Sequence, residues 1–202
     1  MRRARMLALV ILAACAPLVA ACAHKVVSRI PEGSVTDLSG RWNDTDSRLV
    51  SEEMIGDCMS RPWLAKHNDT VKKKPIMIVG VIGNKTSEHI AVGTFVGDIE
   101  RALVNSGQIE MVASAEEREQ VRTERGDQQD YASEETMKKW GKEHGADYLM
   151  GGVINAITDQ EKGKTVVFYQ VDLNLVNLET NEKVWLGQKK IKKFIERKKL
   201  GF

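Results

Sequence analysis

Apolar residues change their spacing several times along this chain, and each change predicts an element. Ile76-Met-Ile-Val-Gly-Val-Ile82 is a nearly continuous apolar run of strand length, the pattern of a strand buried on both faces. Before it, Asp46 to Met59 places Leu49, Val50, Met54 and Ile55 at helical spacing, and Pro62 ends that helix or lies just beyond it. After it, Phe95, Ile99, Ala102 and Leu103 fall at i, i+4, i+7 and i+8, a core-facing helix that Gly107 can stop. Ile109 to Val112 reads as a short strand. Ser114 and Glu117 form a capping box that opens a very polar helix. Ser133 can cap a further helix, with Met137, Trp140 and His144 on one face and Gly145 at its close.

The remainder reads as strand. Asp147 to Thr158 and Thr165 to Leu178 are extended segments joined around Lys162-Gly163. In the second, Val171, Leu173 and Leu175 alternate with Gln170, Asp172 and Asn174, the period of a sheet with one wet face. Glu179-Thr-Asn-Glu182 is a turn into Lys183-Val-Trp-Leu186. Helix-linked strands pair in parallel and the last three pair antiparallel, so the expected fold is α/β: a single mixed β-sheet of about four to five strands flanked by helices.

The first residues belong to something else. Met1-Arg-Arg-Ala-Arg5 is a positively charged start, and Met6 to Val19 is an uncharged apolar run of signal-peptide length, too short to span a bilayer. It ends in Leu18-Val19-Ala20-Ala21-Cys22, which resembles the lipobox of bacterial lipoproteins: small residues before a cysteine whose thiol can carry a diacylglyceryl group. Leu12-Ala13-Ala14-Cys15 is an earlier alternative, but cleavage there would leave a very short apolar region. The expected modification is therefore covalent diacylglyceryl and N-acyl lipid on Cys22, with Cys15 second, and two or more acyl chains make anchoring stable. Ala23 is not the aspartate that retains such proteins in the inner membrane. The expected location is the periplasmic face of the outer membrane.

Residues 22–45 contain Pro31, Gly33, Ser34, Ser39 and Gly40 with few apolar positions in period, and read as a tether. As a random coil it spans only ~30 Å. The expected division is a signal peptide at 1–21, a lipidated tether at 22–45 and one domain at 46–202.

Charge changes the picture once the signal is set aside. Removing its three arginines turns the formal +2 into −1 for the mature chain, so no nucleic-acid partner is implied. What is basic is one segment: Lys183 to Phe202 holds eight Lys or Arg against Glu196 alone. It reads first as an edge strand and tail kept soluble by lysine, and alternatively as a surface for anionic lipid or an acidic partner. Cys58 is the remaining cysteine after Cys15 and Cys22, so the mature chain has no internal disulfide.

Catalytic chemistry is hard to assemble. Gly80-Val-Ile-Gly83-Asn-Lys85-Thr86 superficially resembles a phosphate-binding loop, but both the spacing between its glycines and the position of its lysine are wrong, so no nucleotide is expected. His24, His67, His89 and His144 are scattered without metal-ligand spacing, and no metal or other cofactor is expected. Cys58 and His67 could be nucleophile and base, yet nothing supplies an orienting third group, and a buried, inert thiol is the simpler reading. Glu116-Glu117 and Glu134-Glu135 sit in first turns of predicted helices, where they complement the helix dipole. No catalytic residue is assigned, and the chain is not expected to be an enzyme.

Five segments carry a resemblance: Ile78-Val-Gly-Val-Ile-Gly-Asn84-Lys-Thr86; Phe95 to Leu103; Ser106-Gly107-Gln-Ile-Glu-Met-Val112; Gly145-Ala-Asp-Tyr148-Leu149; and Asn177-Leu-Glu-Thr-Asn-Glu-Lys-Val-Trp185. In order and spacing, across roughly residues 45 to 195, they resemble the LpoB family. That resemblance implies an outer-membrane lipoprotein with a domain similar to the amino-terminal domain of TolB. It implies as partner a bifunctional penicillin-binding protein, which the domain binds and activates in peptidoglycan synthesis. Family members best known in that role have a long proline-rich tether, whereas this one is short with Pro31 alone, so the implied partner has a tall periplasmic part or is a different envelope protein. Gly145-Ala-Asp-Tyr148 is also similar to the periplasmic domain of CsgG, which implies a role in secretion or assembly. That alternative needs membrane-crossing strands, and Val184 to Phe194 carries many lysines for a lipid-facing wall.

Overall fold

The computed structural model describes residues 25–136 and 143–196. The chain divides into two compact units, Met1–Ser34 and Val35–Phe202. In the first, the described residues hold a turn in which the Ser34 amide donates to the Pro31 carbonyl at 3.0 Å.

The second unit begins earlier than the punctuation predicts. Residues 35–43, expected to be tether, pack onto the domain because Trp42 is a large apolar side chain that meets Phe95 and Tyr169 edge-on, at 6.2 and 5.5 Å between ring centroids. Asn43 then caps α1 (Asp44–Ser60) through a capping box with Asp46. Val50, Met54, Ile55 and Cys58 of α1 are buried, while Leu49 is exposed.

Pro62 lies just beyond the first helix, one of the two places expected for it, and opens a second. In α2 (Pro62–Val71) it occupies the first helical position, where its missing N–H costs no hydrogen bond and its φ is already helical. Lys72, at φ 59°, closes α2.

β1 (Ile76–Asn84) alternates instead of being buried on both faces. Met77, Val79 and Ile82 face the core, with a register shift between the last two, and Val81 is 86 % exposed. Helices cover one side of this strand, so its continuous apolar run exceeds what the core uses. α3 (Val92–Asn105) buries Phe95, Ile99 and Leu103, and Gly107 turns the chain at φ 65°. β2 (Glu110–Met111) follows. α4 (Ala115–Tyr131) opens with the expected Ser114–Glu117 capping box and has no buried residue. Of the helix expected from Ser133, residues 137–142 lie outside the described residues, and His144 and Gly145 are not helical.

β3 (Tyr148–Glu161), β4 (Lys164–Asn177) and β5 (Lys183–Glu196) are 14 residues each and form an antiparallel meander. Lys162 and Gly163, both at positive φ, make the tight turn between the first two. The sheet order is β2-β1-β3-β4-β5, parallel among β2, β1 and β3 and antiparallel thereafter. This is the expected single mixed α/β sheet, with five strands. α1 and α3 pack on each other, α1 also against β5 and α3 against β1. Val171, Leu173 and Leu175 lie on the buried side, as their alternation predicts. Among the described residues, no helix is long and apolar enough to cross a membrane.

Candidate functional site

A cavity of about 340 Å³ opens at the end of the sheet where β3 begins and β4 turns into β5. α2 supplies one wall because its buried stripe, Trp63, Leu64 and His67, turns inward over this end. Trp63 and Tyr148 meet edge-on at 5.1 Å between centroids, and His67 and Tyr148 at 5.4 Å. The Trp63 indole donates to the Cys58 carbonyl at 2.8 Å, which locks that ring. His67 Nδ1 lies 3.1 Å from the Tyr148 hydroxyl. Burial pushes the Tyr148 phenol up, against a hydrogen bond from Asn177 that pulls it down. His67 is 7 % exposed, and its Nε2 has no hydrogen-bond partner.

The rim is acidic. Asp147, Glu179 and Glu182 line the cavity against Lys66. Asp147 is held by the Ile76 amide, which donates to its Oδ2 at 2.8 Å. Asn177 shapes the opposite lip, its Oδ1 accepting from the Glu179 and Thr180 amides.

Cys58 and His67 do not form a nucleophile and base. Cys58 is fully buried, and burial pushes its thiol up to about 12, so it carries no thiolate at neutral pH. His67 Nδ1 is engaged by Tyr148. His89 and His144 are exposed and His24 lies outside the described residues, as do Cys15 and Cys22. Among the described residues no group of three His, Cys, Asp or Glu could hold a metal ion.

The glycine-lysine-threonine segment after β1 is a scaffold. Asn84 Oδ1 accepts from both the amide and the hydroxyl of Thr86, and Asn84 Nδ2 donates to the Glu88 carbonyl at 2.8 Å. Glu88 is thereby aimed at the core, accepting from the Tyr169 hydroxyl at 2.7 Å and from the Trp42 amide at 3.1 Å. Burial pushes the Tyr169 phenol up, and the neighbouring Glu88 carboxylate adds to it. Sequence reasoning missed this trio, whose members lie far apart in the chain.

The basic segment splits by the strand period. Lys189 and Lys193 point to the helix side, where Lys189 pairs with Glu53, and Lys193 with Asp37 and Asp46. Lys190 and Lys192 alternate with them on the opposite side. β5 is an edge strand, as the first reading of its lysines expects, but Lys193 is a nearly buried clamp, while Lys189 makes an exposed pair with Glu53. Arg197, Lys198 and Lys199 lie outside the described residues.

The domain thus presents a sheet, a layer of helices and an acid-rimmed cavity. The family model described as "Peptidoglycan-synthase activator LpoB" matches residues 46–191, from the first turn of α1 into β5. The chain belongs to that family, one of activators rather than enzymes. Among solved structures it is similar to the LpoB C-terminal domain from Escherichia coli, at 16 % identity, over 64 % of this chain and 93 % of that one, with a TM-score of 0.35. The LpoB C-terminal domain from Salmonella enterica matches at 14 % identity over the same shares, with a TM-score of 0.34. The PelC dodecamer from Paraburkholderia phytofirmans matches at 15 % identity over 61 % of this chain and 74 % of that one, with a TM-score of 0.32. No curated protein matches the chain.

Proposed function

We propose that this chain is an outer-membrane lipoprotein, anchored by acyl groups on Cys22, whose domain binds a bifunctional penicillin-binding protein and raises its synthesis of peptidoglycan. The carrying observation is the family match, which spans the folded sheet and its helices and not one motif. The charged start, short apolar run and cysteine support the lipid anchor, and Ala23 after that cysteine favours the outer membrane. The domain acts by contact, since a regulator of this kind changes the populations of its partner's states through differential binding.

Two experiments test the reading. The lipidated chain is mixed with the bifunctional penicillin-binding proteins of its own cell, and binding and the rate of glycan polymerisation are measured. Binding with a raised rate supports the activator; binding to none of them, or binding with no change of rate, removes it. Separately, a Cys22→Ser chain should lose acylation and leave the outer-membrane fraction; unchanged lipidation and location would remove the anchor assignment.

A further inference from the structure

We propose that the far end of the sheet, where β3 turns into β4 and β5 finishes, docks on an anionic phospholipid surface. This rests on the lipid anchor at Cys22 and goes beyond the activator reading, because it concerns how the domain lies on its own membrane.

Strand register builds the surface. On the side of the sheet opposite Lys189 and Lys193, Ile157, Phe168 and Lys192 stand in one cross-strand row, and Val166 and Phe194 in the next. Ile157 is 68 % exposed and Phe194 62 %, with Phe168 and Val166 half-buried between them. Diagonal neighbours on adjacent strands are within reach of aromatic side chains, so these four residues make one apolar surface across three strands. Edge protection accounts for the lysines of β5. It does not account for a phenylalanine and an isoleucine left in water beside them, which themselves invite association.

Charge selects the occupant. At this end Glu161 and Glu196 are paired with Lys162 and Lys164. Lys190 and Lys192, both exposed, then stand against Asp159, and the sequence continues from β5 with Arg197-Lys198-Lys199. An apolar, aromatic surface bordered by lysines matches the interface of an anionic bilayer, with the rings at the acyl boundary and the ammonium groups among the phosphates.

The tether brings this same end to the lipid. Where the chain enters the domain, Asp37 pairs with Lys193, and Gly40 lies so close to Ile195 that a Cβ there would sit 2.4 Å from its Cγ1. Both contacts are near the end of β5. As a coil, Ala23 to Ser34 averages about 20 Å, against a width of about 40 Å for a domain of this size. A domain on so short a leash meets the bilayer through the end at which its tether arrives. Docking there turns the opposite end of the sheet, with the start of β3 and the β4–β5 turn, away from the lipid.

The test uses the lipidated chain, its acylation verified by mass, in nanodiscs of phosphatidylcholine alone or mixed with phosphatidylglycerol, each carrying spin-labelled lipid. Nuclear magnetic resonance reads the paramagnetic broadening of methyl signals at Ile157 and at Val71 of α2, which is 49 % exposed and lines the cavity at the opposite end. Expected in the anionic discs is strong broadening of Ile157 with Val71 left sharp. In Lys190→Gln/Lys192→Gln that broadening should fall, the docking equilibrium weakening about fivefold per lysine removed. Phe194→Ser should lower it as well, and unchanged melting curves show that these exposed substitutions leave the fold intact. Equal broadening at Ile157 and Val71, none at either, equal broadening of Ile157 in both kinds of disc, or undiminished broadening in the double lysine variant overturns the proposal. A concentration-dependent shift of Ile157 in nonionic micelles gives the patch to a second copy and overturns the membrane as occupant. A chain found without acyl groups overturns the anchor and this proposal with it. None of these outcomes depends on a synthase, so failed docking of an acylated chain leaves the activator reading standing.

Discussion

Lys193 Nζ, near the end of β5, lies 2.6 Å from Asp46 Oδ2 in the first turn of α1, with side chains only 10 % and 8 % exposed. The same ammonium reaches Asp37 at 2.6 Å and the Arg41 carbonyl at 3.1 Å. One lysine therefore ties the start of the domain to the edge of its sheet.

Removing that lysine strands a buried carboxylate. Lys193→Met should destabilise the domain by about 3–5 kcal/mol, the cost of breaking a buried pair from one side. Lys190→Met, on the other side of the same strand, should stay within about 0.5 kcal/mol of the parent. Urea unfolding of the two variants separates this clamp from mere loss of surface charge.

The clamp also makes stability depend on pH. The hydrogen bond from Lys193 holds the Asp37 carboxyl below its ordinary value, more than burial raises it. A carboxylate depressed in the folded state contributes stability above its unfolded pKa, about 3.9, and loses it as pH falls through the lower folded value. For Lys193, burial works to lower the pKa, but the hydrogen bonds to Asp37 and Asp46 prevail and raise it. Its contribution is complete below the unfolded value of about 10.4 and is lost as pH rises through the higher folded value. An Asp37→Asn variant should show a shallower fall of unfolding free energy below about pH 4 than the parent. An identical slope would mean that Asp37 is not coupled to folding.

Glycine at 187 answers a packing demand. A Cβ there would sit 2.1 Å from the ring of Trp185, whose indole donates to Asp57 at 2.8 Å. Gly187→Ala should cost about 1–3 kcal/mol by overpacking and alter Trp185 fluorescence. Gly56, exposed within α1 with open space around it, should behave oppositely, Gly56→Ala gaining about 0.5–1 kcal/mol from helix propensity. Thermal unfolding of the pair provides the comparison.

The Cys58 thiol should be chemically silent. Fully buried and pushed up to about 12, it should resist iodoacetamide in the native chain at pH 8 and be alkylated once the chain is unfolded in urea, as peptide mapping would show. Native labelling at a rate near that of a free thiol would contradict its burial.

Periodicity made most of the fold legible. The i, i+4 spacing of Phe95, Ile99 and Leu103 marked α3, the alternation from Gln170 to Leu175 marked β4, and Ser114 with Glu117 marked the start of α4. These are local signals, because each element's own geometry dictates which positions meet the core. α2 was harder, since a proline after a helix is compatible both with a stop and with a new start.

What the sequence determined by itself was the charged and apolar leader pattern with Cys22 behind it, the class of sheet and the order of its elements, all written in neighbouring residues. Tertiary structure alone decided that only one face of β1 is buried, that Trp42 and Asp37 belong to the domain, and that Lys189 and Lys193 turn inward while Lys190 and Lys192 do not. It alone brought His67 to Tyr148, 81 residues apart, beneath an acidic rim. The reason is physical: a side chain's partner across a sheet or under a helix is set by register and packing between distant segments, and no local period encodes which distant segment that is.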